Sequence, residues 1–213
     1  MRIAIIQSSL TSLSAGHSIM DKIPDAELHI FEESAELGLI GEAPGIVSKW
    51  PILPDHWLSK MGSQEPNQTS TAIRRSWLER AMATSLCSRG CVVHLRTRVE
   101  EADQQAGKVR FTGAGIGGKG VLEFDQIIDF REANQNSTQW FGGVSLSKDA
   151  PDVEKKGFRS DGTAEVWWRE VKQPHLKLTQ KMEWSGNDPS KSVENDIEDG
   201  IAASLRIYKS IFQ

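Results

Sequence analysis

The sequence is poor in cysteine, and that scarcity excludes two classes at once: Cys87 and Cys91 are the only two among 213 residues. Two thiols cannot build a disulfide framework, and the C-x-x-x-C spacing fits neither a zinc knuckle nor a dithiol redox pair. Both are expected as packing residues, at a helix end and on the strand that follows. Long apolar runs are missing too: no stretch approaches the ~18–20 residues of a membrane-spanning helix. The chain opens directly on the short run Ile3-Ala4-Ile5-Ile6, with no longer apolar region or cleavage site after it. The expectation is a protein of the reducing cytoplasm with no membrane partner.

Positive charge is not in excess. A net charge of −4 and a pI near 5.8 argue against a nucleic-acid partner or an anionic membrane surface. The five histidines, His17, His29, His56, His94 and His175, are scattered without ligand spacing, so no metal site is expected. There is no Gly-x-Ser-x-Gly elbow, and no cysteine lies beside a histidine in sequence. Catalytic residues therefore stay unnamed.

What remains is the composition of an ordinary globular chain, 38% hydrophobic and 25% charged, long enough for a sizeable core. Residues 2–6 form a short β-rich run, continuous rather than alternating, as expected of a strand buried on both faces of a parallel sheet. A Ser/Thr-rich turn, Gln7 to Ser12, leads into a helix through about Lys22. Pro24-Asp25 then turns the chain into a second strand, Glu27 to Phe31, which ends on Glu32-Glu33. This is a right-handed βαβ unit.

Farther on, the text predicts a short helix over 54–61, a strong helix over 71–88 stopped by Gly90, and a strand over 91–99. Strands follow at 108–112 and 121–129, joined by a Gly-rich turn at 113–120. Weaker strand signals lie at 142–146, 164–171 and 176–184. The stretch 192–212 reads as a closing amphipathic helix with apolar residues at 197, 201, 205, 208 and 212.

The informative segment is the first turn. In a dinucleotide-binding βαβ unit, glycines at the first, third and sixth loop positions permit the tight turn, close approach of the diphosphate, and close helix–strand packing. Here those positions hold Gln7, Ser9 and Ser12. The context survives nonetheless: buried strand, turn, helix N-terminus, and a second strand ending on the carboxylate of Glu32. A helix N-terminus attracts anions without glycine. Ser8, Ser9, Leu10, Thr11 and Ser12 are accordingly the candidate diphosphate loop, or simply the cap of the first helix. The run Gly113-Ala114-Gly115-Ile116-Gly117-Gly118-Lys119-Gly120 imitates both phosphate-loop motifs. A strand rather than a helix follows it, so it is read as a hairpin turn. Trp140-Phe141-Gly142-Gly143 and Trp167-Trp168-Arg169 suggest either a stacking surface for a flat ligand or core packing.

The order of segments resembles the FAD-dependent aromatic hydroxylases of the p-hydroxybenzoate hydroxylase type, within the glutathione-reductase-like flavoproteins. Ile3-Ala4-Ile5-Ile6 with Leu13-Ser14-Ala15 resembles that group's first strand and helix, and Ile30-Phe31-Glu32 its ribose-binding strand end. Arg75-Ser76-Trp77-Leu78 resembles an R-x-x-L helix start whose arginine helps hold the cofactor. Arg98-Val99 falls where a strand approaches the adenine. Ser192 to Ala203 resembles the last helix, which points at the flavin. The resemblance covers about residues 1–130 and 190–212.

The fold so implied is α/β: a Rossmann-like FAD/NAD(P)-binding three-layer sandwich with a small β-rich insertion. Residues 1–130 with 185–213 would form the nucleotide domain, and 131–184 a reduced substrate or partner lobe. The implied cofactor ligands are Ser8 to Ser12, Glu32, Arg75, Val99, Asp188, Gly200 and Ile201, with FAD as cofactor and NAD(P)H as reductant. Against this stand the missing glycines, Phe130-Arg131 in place of a small-residue turn, and Gly186-Asn187-Asp188 as the only trace of a Gly-Asp motif. Three readings stay open: an FAD-dependent oxidoreductase acting on a small molecule, a flavin-free descendant serving as a binding or partner protein or a non-redox enzyme, and a nicotinamide-dependent reductase. A homodimer would let one subunit complete the other's pocket.

Overall fold

The computed structural model describes residues 1–38, 43–114, 118–131, 138–169 and 177–212. In chain order the elements begin with β1 (Arg2–Ile6), α1 (Leu10–Lys22), β2 (Glu27–Phe31), α2 (Asp55–Leu58) and α3 (Arg75–Ser88). There follow β3 (Val92–His94), β4 (Thr97–Asp103), β5 (Lys108–Gly113), β6 (Gly118–Glu123) and β7 (Gln126–Asp129). The rest is β8 (Thr138–Leu146), β9 (Lys155–Phe158), β10 (Thr163–Trp168), β11 (Gln180–Gly186) and α4 (Ser192–Phe212). The chain divides into two compact units: Met1–Leu39 with Glu79–Ala133 and Asp196–Gln213, and Ile40–Leu78 with Asn134–Asn195.

The first unit carries the parallel sheet, ordered β3-β2-β1-β7, so the expected βαβ unit is present. Burial follows from the apolar run: Ile3 and Ile5 are fully buried on one face of β1, while Ala4 and Ile6 face the other. The latter pair packs with Phe31, Val99, Val109, Phe111, Phe124 and Ile127, so one core cluster joins the parallel sheet to the antiparallel sheet β4-β5-β6. On α1, Gly16 admits the leucines of its neighbours; a Cβ there would lie 3.1 Å from Leu28 and 3.2 Å from Leu86. His17, fully buried, has its Nε2 3.0 Å from the Met82 carbonyl of α3, and its Nδ1 3.1 Å from Arg89 Nη1. Since arginine only donates, Nδ1 accepts and Nε2–H donates.

Two expected strands are each cut in two. The stretch 91–99 is β3 and then β4, parted by a turn in which Arg96 adopts a φ of 51°. This transfers the chain from one sheet to the other. The stretch 121–129 breaks likewise between β6 and β7. There the Phe124 N–H bonds to the Gly107 carbonyl at 2.8 Å, and the Asp125 N–H to the Arg2 carbonyl at 2.9 Å. Propensity cannot reveal these breaks, because each half is equally strand-like and only the two partner sheets separate them. The Gly-rich segment does join paired strands, with Gly113 opposite Gly118; Gly115, Ile116 and Gly117 lie outside the described residues.

The second unit is built on an antiparallel sheet ordered β11-β8-β10-β9. Residues 43–78 are tied to it, since the N–H groups of Thr71 and Ala72 both reach the Phe158 carbonyl. That pairing, with the bridge between Ile46 and Ala72, keeps 71–72 out of the helix, so α3 starts at Arg75 rather than at Thr71. The helix expected over 54–61 is the single turn of α2. The strand signals at 142–146, 164–171 and 176–184 correspond to β8, β10 and β11, and residues 170–176 lie outside those described. Trp140 and Trp167 are fully buried with Ile46, Val144 and Met182, which settles the tryptophan pairs in favour of core. The Trp167 ring lies where a Cβ of Gly142 would stand, 2.4 Å away, so that position requires glycine.

Candidate nucleotide-binding site

The loop after β1 keeps the backbone of its type. Gln7, at the first glycine position, has a φ of 73°, in the left-handed region that favours glycine. Its N–H bonds to the Phe31 carbonyl at 2.9 Å, which anchors the turn to β2. The helix then begins at Leu10, earlier than the Ser/Thr-rich turn suggests, because Ser9 caps it. The Ser12 N–H donates to Ser9 Oγ at 3.2 Å, and the Ser9 N–H to Ser12 Oγ at 2.7 Å. This is a reciprocal capping box with serine in both roles.

Glu32 stands at the end of β2 as expected and is only 6% exposed. Its carboxylate is already bonded. Oε2 accepts the Ser8 N–H at 2.9 Å, and Oε1 accepts the N–H of Ser34 at 2.8 Å together with the Ser34 hydroxyl. Ser34 is the partner that sequence reasoning missed; an acid followed two positions later by serine was the available signal. Ser8 Oγ, by contrast, is buried without a hydrogen-bond partner.

The other candidates have partners or packing of their own. Val99 is a core residue whose carbonyl accepts from Arg131 Nη1 at 2.7 Å, and Arg131 also grips Asp129. The arginine that replaces the small-residue turn thus fastens β7 to β4. Gly200 is pressed onto the first turn of α1, where a Cβ would lie 2.2 Å from the Thr11 carbonyl. Ile201 beside it is half-buried. Farther along the same two helices, Ser204 Oγ meets Ser18 Oγ at 2.6 Å.

Arg75 and Asp188 belong to the second unit, where both have local partners. Arg75 Nη1 donates to Ser192 Oγ at 3.0 Å. Asp188 accepts from the Ser190 N–H and hydroxyl and from Lys155. Desolvation pushes its pKa up, but these hydrogen bonds and the lysine outweigh it and hold the carboxyl below its usual range.

The structure therefore brings Ser8 together with Glu32, Ser9 with Ser12, and Thr11 with Gly200. The residues present do not fit a dinucleotide as a glycine loop does. Ser9 Oγ accepts the helix N–H that a phosphate oxygen would take, and Ser8 and Ser34 occupy the carboxylate that a ribose would use. Among the described residues no group of three or more His, Cys, Asp or Glu is arranged to hold a metal ion, and no helix is long and apolar enough to cross a membrane.

No family model and no curated protein sequence matches the chain. Solved structures do match. A flavoprotein/dehydrogenase from Cytophaga hutchinsonii aligns over 99% of this chain and 79% of its own, with a TM-score of 0.61 and 12% identity. CtdE, solved in complex with FAD and a substrate, aligns over 96% of this chain and 80% of its own, at TM-score 0.59 and 10% identity. CabE, an aromatic hydroxylase from angucycline biosynthesis, aligns over 98% and 62%, at TM-score 0.58 and 10% identity. The chain spans about a quarter, 24%, of the water-forming NADH oxidase from Lactobacillus brevis, at TM-score 0.38. The chain thus has a Rossmann-like α/β fold, one it shares with a flavoprotein/dehydrogenase, an FAD-bound protein and an aromatic hydroxylase.

Proposed function

We propose that this chain is a flavin-free derivative of the FAD-dependent oxidoreductase fold that serves as a cytoplasmic binding or partner protein. One observation carries the reading: the groups that would hold the diphosphate and the ribose are bonded to one another. A dinucleotide would have to displace the Ser9 cap, worth about 1 kcal/mol. It would also have to replace at least one of the bonds to the Glu32 carboxylate, worth roughly 1.5–3 kcal/mol. At 1.4 kcal/mol per factor of ten, the loss is on the order of a hundredfold to a thousandfold in affinity.

A second reading is favoured by the unpartnered Ser8 hydroxyl and by the turn geometry kept at Gln7. On that reading the chain is an FAD-dependent, monooxygenase-like oxidoreductase that uses NAD(P)H as reductant on a small molecule, its pocket completed in a homodimer. Flavin would supply the redox chemistry, while Ser8 to Ser12 and Glu32 rearranged to hold the dinucleotide.

The visible absorption spectrum separates the two. Protein incubated with excess FAD and then desalted is expected to be colourless. A flavin band retained in proportion to protein would overturn the first reading, and reduction by NADH or NADPH would be assayed next.

A further inference from the structure

We propose that two copies of this chain associate through α4, the two helices lying antiparallel about a two-fold axis near Ile201 and Leu205. The association does not depend on whether the loop after β1 holds a cofactor.

Helix α4 has two apolar faces, and only one is used within the chain. Val193, Ile197, Gly200, Ala203 and Ser204 are buried. The second face, formed by Ile201, Leu205, Tyr208 and Phe212, repeats at intervals of four, three and four, the spacing of a coiled-coil seam. It lies toward solvent: Leu205 is 39% and Phe212 59% exposed, and Ile201 and Tyr208 are half-buried. The Tyr208 and Phe212 ring centroids are 4.8 Å apart, so the last two members make one continuous apolar step. A single exposed hydrophobic side chain is ordinary, but a row at seam spacing marks an interaction surface.

The charges say which partner fits. The acids of α4, Glu194, Asp196, Glu198 and Asp199, all precede its bases, Arg206 and Lys209. The helix dipole favours that polarity only in the terminal turns, so it accounts for Lys209 but not for Glu198. Both of these side chains are exposed, and among the described residues neither is in an ion pair. Neither has an opposite charge three or four positions away on its own helix. They stand eleven positions apart, about three turns, and so line up along one flank of the apolar row.

In an antiparallel pair each flank faces the same flank of the other helix, with its direction reversed. Packing Ile201 against Leu205 of the second copy therefore sets Glu198 beside Lys209 of the second copy, and symmetry makes the contact twice. A parallel pair would set acidic end beside acidic end. Stable interfaces bury about 800 Å² per partner, and one helical row covers only part of that, so the association is reversible and concentration-dependent.

The test is sedimentation velocity of the whole chain from about 1 μM to about 1 mM, at low and high salt. A monomer–dimer equilibrium weakened by salt is expected. Leu205→Glu is expected to weaken it at least about tenfold. Glu198→Lys and Lys209→Glu each bring like charges together and are expected to weaken it about tenfold. Mixed in equal amounts, these two variants recover both ion pairs only as an antiparallel heterodimer, so the mixture is expected to associate as tightly as the unaltered chain. All three positions are exposed, and circular dichroism checks that each variant folds. A chain that stays monomeric throughout, or undiminished association of folded Leu205→Glu, would overturn the surface. A mixture no tighter than its separate components would overturn the antiparallel arrangement.

Discussion

Replacing Glu165 with alanine tests how the second unit is held together. The carboxylate is 1% exposed and takes three donors: the Gly45 N–H at 2.7 Å, Trp167 Nε1 at 2.8 Å, and the guanidinium of Arg159. Truncation leaves a buried arginine charge without its counter-ion, which costs roughly 3–5 kcal/mol. Two neutral donors lose their acceptor as well, adding about 1 kcal/mol once partial relaxation is allowed for. The expected loss of about 4–6 kcal/mol corresponds to a fall in Tm of roughly 10–20 °C for a chain of this size. Urea denaturation followed by tryptophan fluorescence measures it directly, since Trp140 and Trp167 are fully buried in this unit. The double variant Arg159→Met with Glu165→Leu removes both charges together and is expected to recover more than half of the loss. A loss below about 1 kcal/mol for Glu165→Ala, typical of exposed pairs, would refute the reasoning.

Gln7→Gly is expected to stabilise the chain by up to about 1 kcal/mol by relieving the φ of 73°, whereas Gln7→Val destabilises it; paired denaturation curves give both signs. Gly200→Val places methyl groups against the Thr11 carbonyl and should cost roughly 1–3 kcal/mol in the same assay; a neutral result would mean that the two helices do not meet so closely. His94 is held down to about 4 from 6.5, chiefly by burial and then by the charges of His29 and Arg2. The unfolded chain therefore binds the extra proton between pH 6.5 and 4, and stability falls as pH drops through that window, by at most about 1.4 kcal/mol per pH unit. His94→Asn is expected to flatten that slope, and an unchanged slope would locate the titration elsewhere.

The βαβ unit was legible because its signals are local: a continuous apolar run at 3–6, a serine cap, and an acid closing the second strand. The closing helix was legible for the same reason. The strand breaks at 95–96 and 124–125 were not, since nothing in a strand's own residues says which sheet it will join. Arg75, Asp188 and Gly200 were proposed as ligands by order of segments. Each also has a local partner, a serine hydroxyl, an Asx-type turn with a lysine, and a close helix contact, that becomes visible only when side chains are placed. The Arg159–Glu165 pair left no trace in the sequence, because two charges six positions apart are ordinary on any exposed hairpin and only burial makes them distinctive.

The closed loop after β1 also bears on how this protein would be maintained in a cell. A protein whose native state binds a cofactor gains stability from it in proportion to RT ln(1 + [L]/Kd), so its abundance follows the cofactor's supply. If the loop holds no cofactor, as proposed, Ser9, Ser12 and Ser34 stand in for a ligand present at one equivalent in every copy. On the flavin-free reading, folding would be uncoupled from flavin synthesis, and cells starved of riboflavin would keep the protein at its ordinary level while flavoenzymes declined.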